Sequence, residues 1–311
     1  MKVVSVINYK GGVGKTSLTA NLAAELAWRK RSVLLVDLDA QASLTFSFIT
    51  PDVWEKDFSE TKTIKSWFES FDSNKPLNLS SLIHTPARVK SALNGKGHLD
   101  LIYSHLGLIN VDLELATKLG GANIGQSKKN FITVHRRLAD GLAPLAEMKY
   151  DYILIDCPPN FNIVTKTAII ASDFILVPAR PDYLSTLGID YLLRSVDGLI
   201  KDYNDYAAVD SGEKIAKIAP KILGIVFTMI QEYGDQPISA QRPFINQIKR
   251  RPNLSVFSNY IKRNDSLFAD APQFGIPVVL RGYNSGSHQS VVEGLEGVTK
   301  DFEEMLGKLT Q

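Results

Sequence analysis

Short apolar, β-branched runs alternate along this chain with longer stretches whose apolar residues return at helical spacing, about every 3.6 positions. The runs predict strands near Val3–Asn8, Ser32–Asp37, Leu99–Ser104, Tyr152–Asp156, Phe174–Pro178 and Ile222–Met229, with a weaker one near Val256–Ile261. The helical stretches fall near Lys15–Lys30, Lys129–Glu147, Lys166–Ala171, Leu187–Tyr203, Pro243–Arg250 and Ser290–Lys308. Strands that are apolar throughout, alternating with helices, indicate βαβ units. The expected fold class is α/β, a doubly wound, mostly parallel central sheet flanked by helices. Thr50–Lys96 follows neither period, because Pro51, Pro76, Asn78, Pro86, Asn94 and Gly95 interrupt it. It reads as an elaborated loop region in which only "TIKSWFES" suggests a short helix. Asn204–Pro220 is a second soft segment. With no internal repeat, a single domain over residues 1–311 is expected.

Composition narrows the class. The 311 residues are 44% hydrophobic and 22% charged, enough to bury a sizeable core. No apolar run reaches the roughly 18–20 residues of a membrane span, and Met1-Lys2 enters a strand without a secretory pattern. A cytoplasmic location is expected. A single cysteine, Cys157, leaves no internal disulfide or cysteine-only metal site in one chain, and the five histidines are scattered. The net charge of +2 is too small to point to nucleic acid by itself.

The candidate chemistry begins in "VSVINYKGGVGKTSLTANLA". A strand, a glycine-rich turn and a helix opening at Lys15 form an anion site, since first-turn N–H groups lack intrahelical partners and the helix dipole favours negative charge. Gly11, Gly12 and Gly14 permit the tight turn around Val13. Lys15 is placed to reach β- and γ-phosphates, Thr16 to offer its hydroxyl to Mg²⁺, and Ser17 lies in the same first turn. ATP and Mg²⁺ are the implied cofactors. The motif G-x-x-x-x-G-K-[ST] requires glycine at position 9, where this chain has Tyr9, and a second lysine, Lys10, precedes the glycines. Two strands end in carboxylates: "VLLVDLDAQAS" carries Asp37 and Asp39, and "YDYILIDCPPNF" carries Asp156 at the Walker B position, suited to Mg²⁺. Cys157 reads as a small buried residue.

Lys10-Gly-Gly-Val-Gly-Lys15-Thr16 resembles the deviant Walker A motif of the ParA/MinD family of P-loop ATPases, and the chain looks like a ParA/Soj-type member. The resemblance implies that Lys10 reaches the nucleotide of a facing subunit, so that two ATP molecules are sandwiched in a homodimer. By the same resemblance, Lys10, Lys15 and Asp39 form the catalytic set, with Asp39 positioning or deprotonating the attacking water and Asp37 supporting the magnesium shell of Thr16 and Asp156. Ala40 departs from the family's D-x-D-P-Q pattern, and Pro181-Asp182 departs from its next motif. Thr228, Met229 and Pro277 would flank the adenine, or equally serve as core and turn residues. The turn meant for Pro277 is "APQFGIPV", Ala271 to Val278.

Arg242, Lys249, Arg250, Arg251, Lys262 and Arg263 make up a run of six basic residues with no acidic residue among them. Such a cluster suits the phosphate backbone of nonspecific double-stranded DNA, although basic runs also serve simply to solvate a helix face. ParA-like proteins without an N-terminal helix-turn-helix bind DNA this way, and a nucleoid-associated ATPase, slow until a ParB-like adaptor stimulates it, is implied. The acidic character of Val291–Gln311 argues against a MinD-like membrane anchor. The cargo, whether plasmid, chromosome or protein assembly, is not encoded. The alternative is a nucleotide-gated protein scaffold or regulator without DNA binding; a metabolic kinase or synthetase would need an acceptor site that the motifs do not supply.

Overall fold

The computed structural model describes residues 1–208, 215–282 and 285–310. Its sheet contains β1 (Lys2–Val6), β2 (Ser32–Asp37), β3 (Ile83–His84), β4 (His98–Ile102), β5 (Tyr152–Asp156), β6 (Phe174–Ala179) and β7 (Lys221–Phe227). The spatial order is β3-β4-β2-β5-β1-β6-β7, parallel throughout except where β3 meets β4. The helices are α1 (Lys15–Trp28), α2 (Ser43–Phe46), α3 (Pro51–Asp57), α4 (Ile64–Glu69), α5 (Ala87–Leu93) and α6 (Leu108–Thr117). They continue with α7 (Ile124–Leu142), α8 (Ile163–Ala171), α9 (Tyr183–Ala207), α10 (Arg242–Lys249), α11 (Asp265–Phe274) and α12 (Gly286–Thr310). This is the doubly wound α/β class expected from the sequence.

The period-2 geometry of strands explains the two layers. Leu34 and Val36 of β2 and Ile153 and Ile155 of β5 enter one apolar cluster with α4, α6, α7, α8 and α9. Val33, Leu35 and Leu154 point the other way, into a second cluster with α1, α5 and α12. Parallel strands covered on both faces need apolar residues at every position, which is why these runs show no polar alternation.

Several elements differ from the sequence expectation. Thr50–Lys96 contains α3, α4, two 3₁₀ turns, β3 and α5, and it buries Trp54, Trp67 and Phe68. α4 is the short helix suggested by "TIKSWFES"; α3 and α5 are too short for their periodicity to stand out between the prolines. α6 and α11 were not anticipated. Ala271–Val278, expected as a turn, includes the last residues of α11, with Pro272 inside the helix and Gly275 capping it at φ 60°. α7 starts at Ile124, where Asn123 accepts the Gln126 N–H, and α9 starts at Tyr183 behind the capping Asp182. α9 continues through Ala207, so the soft segment expected from Asn204 begins as helix, and its residues 209–214 lie outside the described residues.

The weak strand near Val256–Ile261 is present only as a main-chain attachment to β7. Ile225 donates to the Ser255 carbonyl at 2.9 Å, Phe257 to Ile225 at 3.0 Å and Ile261 to Phe227 at 2.9 Å. Gly224 permits that approach, since a Cβ there would stand 3.0 Å from the Phe257 ring. Among the described residues, no helix is long and apolar enough to cross a membrane.

Gly97, just before β4, lies against the end of α1, where a Cβ would come within 2.1 Å of the Ala27 carbonyl oxygen. Backbone cannot yield as a side-chain tip can. Gly97→Ala is expected to lower unfolding stability by about 1–3 kcal/mol, the usual range for overpacking, read as a lower urea midpoint with an unchanged m-value.

Candidate phosphate-binding site

The register of three parallel strands brings the site together. Val6 of β1 and Asp37 of β2 both lie opposite Asp156 of β5, so three chain segments leave the sheet side by side at its carboxyl edge. Ligands of open α/β sheets bind at this edge. The loop between β1 and α1 is anchored by Asn8, which is buried. Its amide donates to the Pro178 carbonyl at 2.7 Å, and its oxygen accepts the Lys10 N–H at 2.9 Å. Gly12 and Gly14 take φ values of 69° and 74°, where a side chain is strained. Gly14 is the N-cap of α1 and makes no side-chain cap bond, which leaves the first-turn N–H groups available to an anion. Lys15 is buried with Nζ 3.3 Å from the Lys10 carbonyl. Burial lowers its pKa, opposed by the fields of Asp156 and Asp39.

The carboxylates divide into distinct roles. Asp156 accepts the Thr16 hydroxyl at 2.8 Å and the Thr19 hydroxyl at 3.1 Å. Asp37 accepts both the N–H and the hydroxyl of Thr45, at 2.8 and 2.7 Å, and the Asp39 N–H at 3.1 Å. Its bonds thus hold the Asp39 loop against α2. Burial, reinforced for Asp37 by its neighbour Asp156, pushes their pKa values up to about 8 for Asp37 and about 7 for Asp156. Asp39 is only partly buried. Its main-chain oxygen accepts the Ser104 hydroxyl at 2.7 Å, and its carboxylate accepts the Gln41 N–H at 3.0 Å. The hydroxyl of Thr16 and the carboxylate of Asp156 are hard oxygen donors of the kind Mg²⁺ takes, with remaining positions left to phosphate and water. Cys157 is buried and its thiol pKa is raised by burial, as fits a packing residue.

Lys10 does not extend freely from the loop. Its Nζ meets both carboxylate oxygens of Asp182, at 2.8 and 2.9 Å, and Arg180 approaches the same carboxylate at 3.6 Å. Asp182 also accepts the Ser185 N–H at 2.8 Å, so one side chain caps α9 and holds Lys10. The departure at Pro181-Asp182 therefore sits beside the phosphate loop. Just beyond it, Tyr183, Leu184, Leu187 and Tyr191 expose 53–71% of their surface along the first turns of α9.

Thr228 and Met229 lie against the loop. The Thr228 hydroxyl donates to the Val13 carbonyl at 2.7 Å, and Met229, at φ 56°, places Cε 3.6 Å from where a Gly14 Cβ would be. Pro277 is buried ahead of Val279, whose N–H donates to Asn21 of α1 at 3.0 Å. The basic run is divided by carboxylate partners, two of them outside the run on its N-terminal side and one just after it. Arg251 pairs with Asp190, Lys262 with Glu232 at 2.6 Å and Arg263 with Asp265 at 2.6 Å. The six cations therefore do not form one uncompensated face; Arg242, Lys249 and Arg250 have no carboxylate partner among the described residues. Arg242 instead donates to the Pro237 carbonyl at 2.6 Å. Asn8, Thr19, Thr45 and Ser104 were missed by sequence reading. Only Thr19 carried a signal, as the second hydroxyl three residues after Thr16 on one helix face.

A family model described as an AAA domain matches residues 1–209. The chain is 28% identical over 301 residues to the chromosome partitioning protein ParA of Myxococcus xanthus, covering 96% of this chain and 89% of that protein. It is 26% identical over 279 residues to the sporulation initiation inhibitor protein Soj of Bacillus subtilis, covering 90% of each. Among solved structures, an ATP complex of a Cyanothece McdA variant aligns over 99% of this chain and 96% of that one, with a TM-score of 0.70 and 20% identity.

The two raised carboxyl pKa values carry a pH consequence. The folded chain retains protons that unfolded aspartates release from about 3.8, so this contribution to stability is full below that pH and declines as pH rises through about 7–8. The thermal midpoint of the nucleotide-free chain is expected to fall between about pH 6 and pH 8.5. Asp37→Asn, which cannot ionise, is expected to flatten that slope, and an unchanged slope would remove Asp37 as its source.

Proposed function

This chain belongs to the AAA-domain family and is a ParA-type ATPase, and from that premise we propose that it is a Mg·ATP-dependent positioning ATPase that dimerises around ATP. The observation that carries this reading is Lys10, a cation in the phosphate loop beyond the lysine already committed to phosphate, held at the rim by Asp182. Once two protomers face each other with ATP between them, Lys10 leaves Asp182 for the partner's phosphates and stabilises the charge that develops during transfer. Thr16 and Asp156 would hold Mg²⁺, which would offset phosphate charge; Lys15 engages the outer phosphates, and Asp39, partly exposed beside them, orients water for in-line attack. The exposed apolar start of α9 lies next to Lys10 and supports burial of this edge against a second copy.

Nonspecific DNA is the proposed second partner, contacted through Arg242, Lys249 and Arg250, and doubled in a dimer. A ParB-like adaptor would complete the cycle by stimulating hydrolysis, with the protein acting on the nucleoid in the cytoplasm. The pairing of Arg251, Lys262 and Arg263 favours a second reading, an ATP-gated protein scaffold that makes no DNA contact. Binding to double-stranded DNA with ATP, ADP or no nucleotide, across a salt series with mass measured in the same samples, separates the two. The DNA reading expects ATP-selective binding by dimers with a log–log salt slope of about −5, from three free cations per protomer at about 0.9 each. Lys249→Glu with Arg250→Glu should weaken it more than tenfold while ATP turnover persists; ATP-dependent dimers indifferent to DNA would favour the scaffold.

Lys10 and Asp182 are partly exposed, at 30% and 35%, so their pair contributes at most about 1 kcal/mol. Asp182→Asn keeps a capping side chain on α9 but releases Lys10. The ATP-dependent dimer is then expected to form up to about fivefold more readily for each pair opened, whereas Lys10→Ala should prevent the stimulated rate. Equal dimerisation in Asp182→Asn and wild type would mean that the pair does not oppose assembly.

A further inference from the structure

On the sheet face opposite α1, a cavity of about 430 Å³ lies between α4, the turn that follows it and the middle of α7. Its lining includes the cations Lys129, Arg136 and Arg137 and the carboxylate Asp140, which Arg136 already holds at 2.8 Å. Arg137 is 9% exposed. Its guanidinium carbon lies 4.3 Å from the Trp67 ring centroid and 4.1 Å from that of Phe71. Nη2 donates to the Trp67 carbonyl at 2.6 Å, Nε has no acceptor, and no carboxylate pairs with the group among the described residues. Asp72, next to Phe71 in sequence, is taken by Lys118.

Among the described residues, this arrangement leaves a charge without a counter-charge. Aromatic faces compensate a buried cation only in part, and the cost of burial pulls the Arg137 pKa down to about 10. Nor can the wall readily relax away. Trp67 is packed so closely on α7 that a Cβ at Gly141 would lie 2.4 Å from its Cζ2 atom. A rigid, aromatic-walled recess with an excess of cations among its described lining residues is complementary to an anion.

We propose that this cavity binds a small oxyanion-bearing molecule, a phosphorylated or polycarboxylate metabolite, with Arg137 as its inner contact and Arg136 and Lys129 at the mouth. The volume exceeds what a bare phosphate fills, and guanidinium groups match phosphate and carboxylate geometry alike. The ligand would tie α4, part of the elaborated 50–96 region, to α7. The site shares no residue with the phosphate loop and stands independently of the nucleotide reading.

Pyrophosphate and citrate, titrated separately into the Lys15→Ala chain, test this without competition from a working phosphate loop. Calorimetry gives stoichiometry, and tryptophan fluorescence reports Trp67 in the wall. The expected result is saturable binding of one molecule per chain by at least one probe, weakened at least tenfold in Lys129→Gln with Arg136→Gln and lost in Arg137→Met. The double variant changes residues at the mouth and keeps the test decisive if Arg137→Met does not fold. Pyrophosphate alone binding would identify a phosphate site, and citrate alone a carboxylate site. No saturable binding by either, or equal affinity in the double variant, would overturn the proposal.

Discussion

The burial of Asp37 and Asp156 side by side, at matched positions on neighbouring parallel strands, is the constraint on which the rest of the site depends. Two carboxyl groups so placed resist being ionised together, and each needs donors that a dry sheet edge does not supply. The hydroxyls of Thr16, Thr19 and Thr45 meet that need from α1 and α2, and Lys15 contributes the opposing charge. Each donor is on a helix whose position follows from the strand it leaves. A divalent cation entering here would relieve the same repulsion, so the electrostatic strain at this edge and its affinity for metal and phosphate have one origin.

The surroundings extend this logic outward from the carboxyl edge. Asn8 fixes the loop from beneath, Thr228 from the side, and Asp182 restrains Lys10 at the rim. Apolar side chains then accumulate at the exterior. Besides the start of α9, Leu106 and the α6 residues Ile109 and Leu113 are 56–68% exposed after β4, whose carboxyl end faces the same way. Charge is concentrated inside this edge and hydrophobic surface around it, the distribution of a surface that becomes dry when covered.

Much of this site was legible in the sequence because its chemistry is local. Lys10 to Ser17 form one continuous turn and helix start, and Asp37 and Asp156 each close an apolar run. That the two carboxylates are neighbours depended on strand order, which single-strand patterns do not contain. The same limit hid the fate of the basic run. Asp190 and Glu232 lie well outside Arg242–Arg263, so inspecting that window alone suggested a free cationic face. Of the short helices of Thr50–Lys96, α4 was legible in "TIKSWFES", whereas α3 and α5 escaped notice because a helix of about two turns presents too few repeats for a period to emerge between prolines. Two helix starts shifted where caps decided them, at Asn123 and Asp182, whose effect lies in side-chain bonds that hydropathy does not register.

The segment Ser255–Arg263 that runs along β7 has a bearing on how copies of this protein can meet. An uncovered outer strand is a template for another chain to join by main-chain pairing, and such growth has no natural stopping point. Here one margin is occupied by Ser255, Phe257 and Ile261, and the other ends in β3, an antiparallel strand of only two residues. Open-ended polymerisation by lateral strand addition is thereby discouraged at both margins.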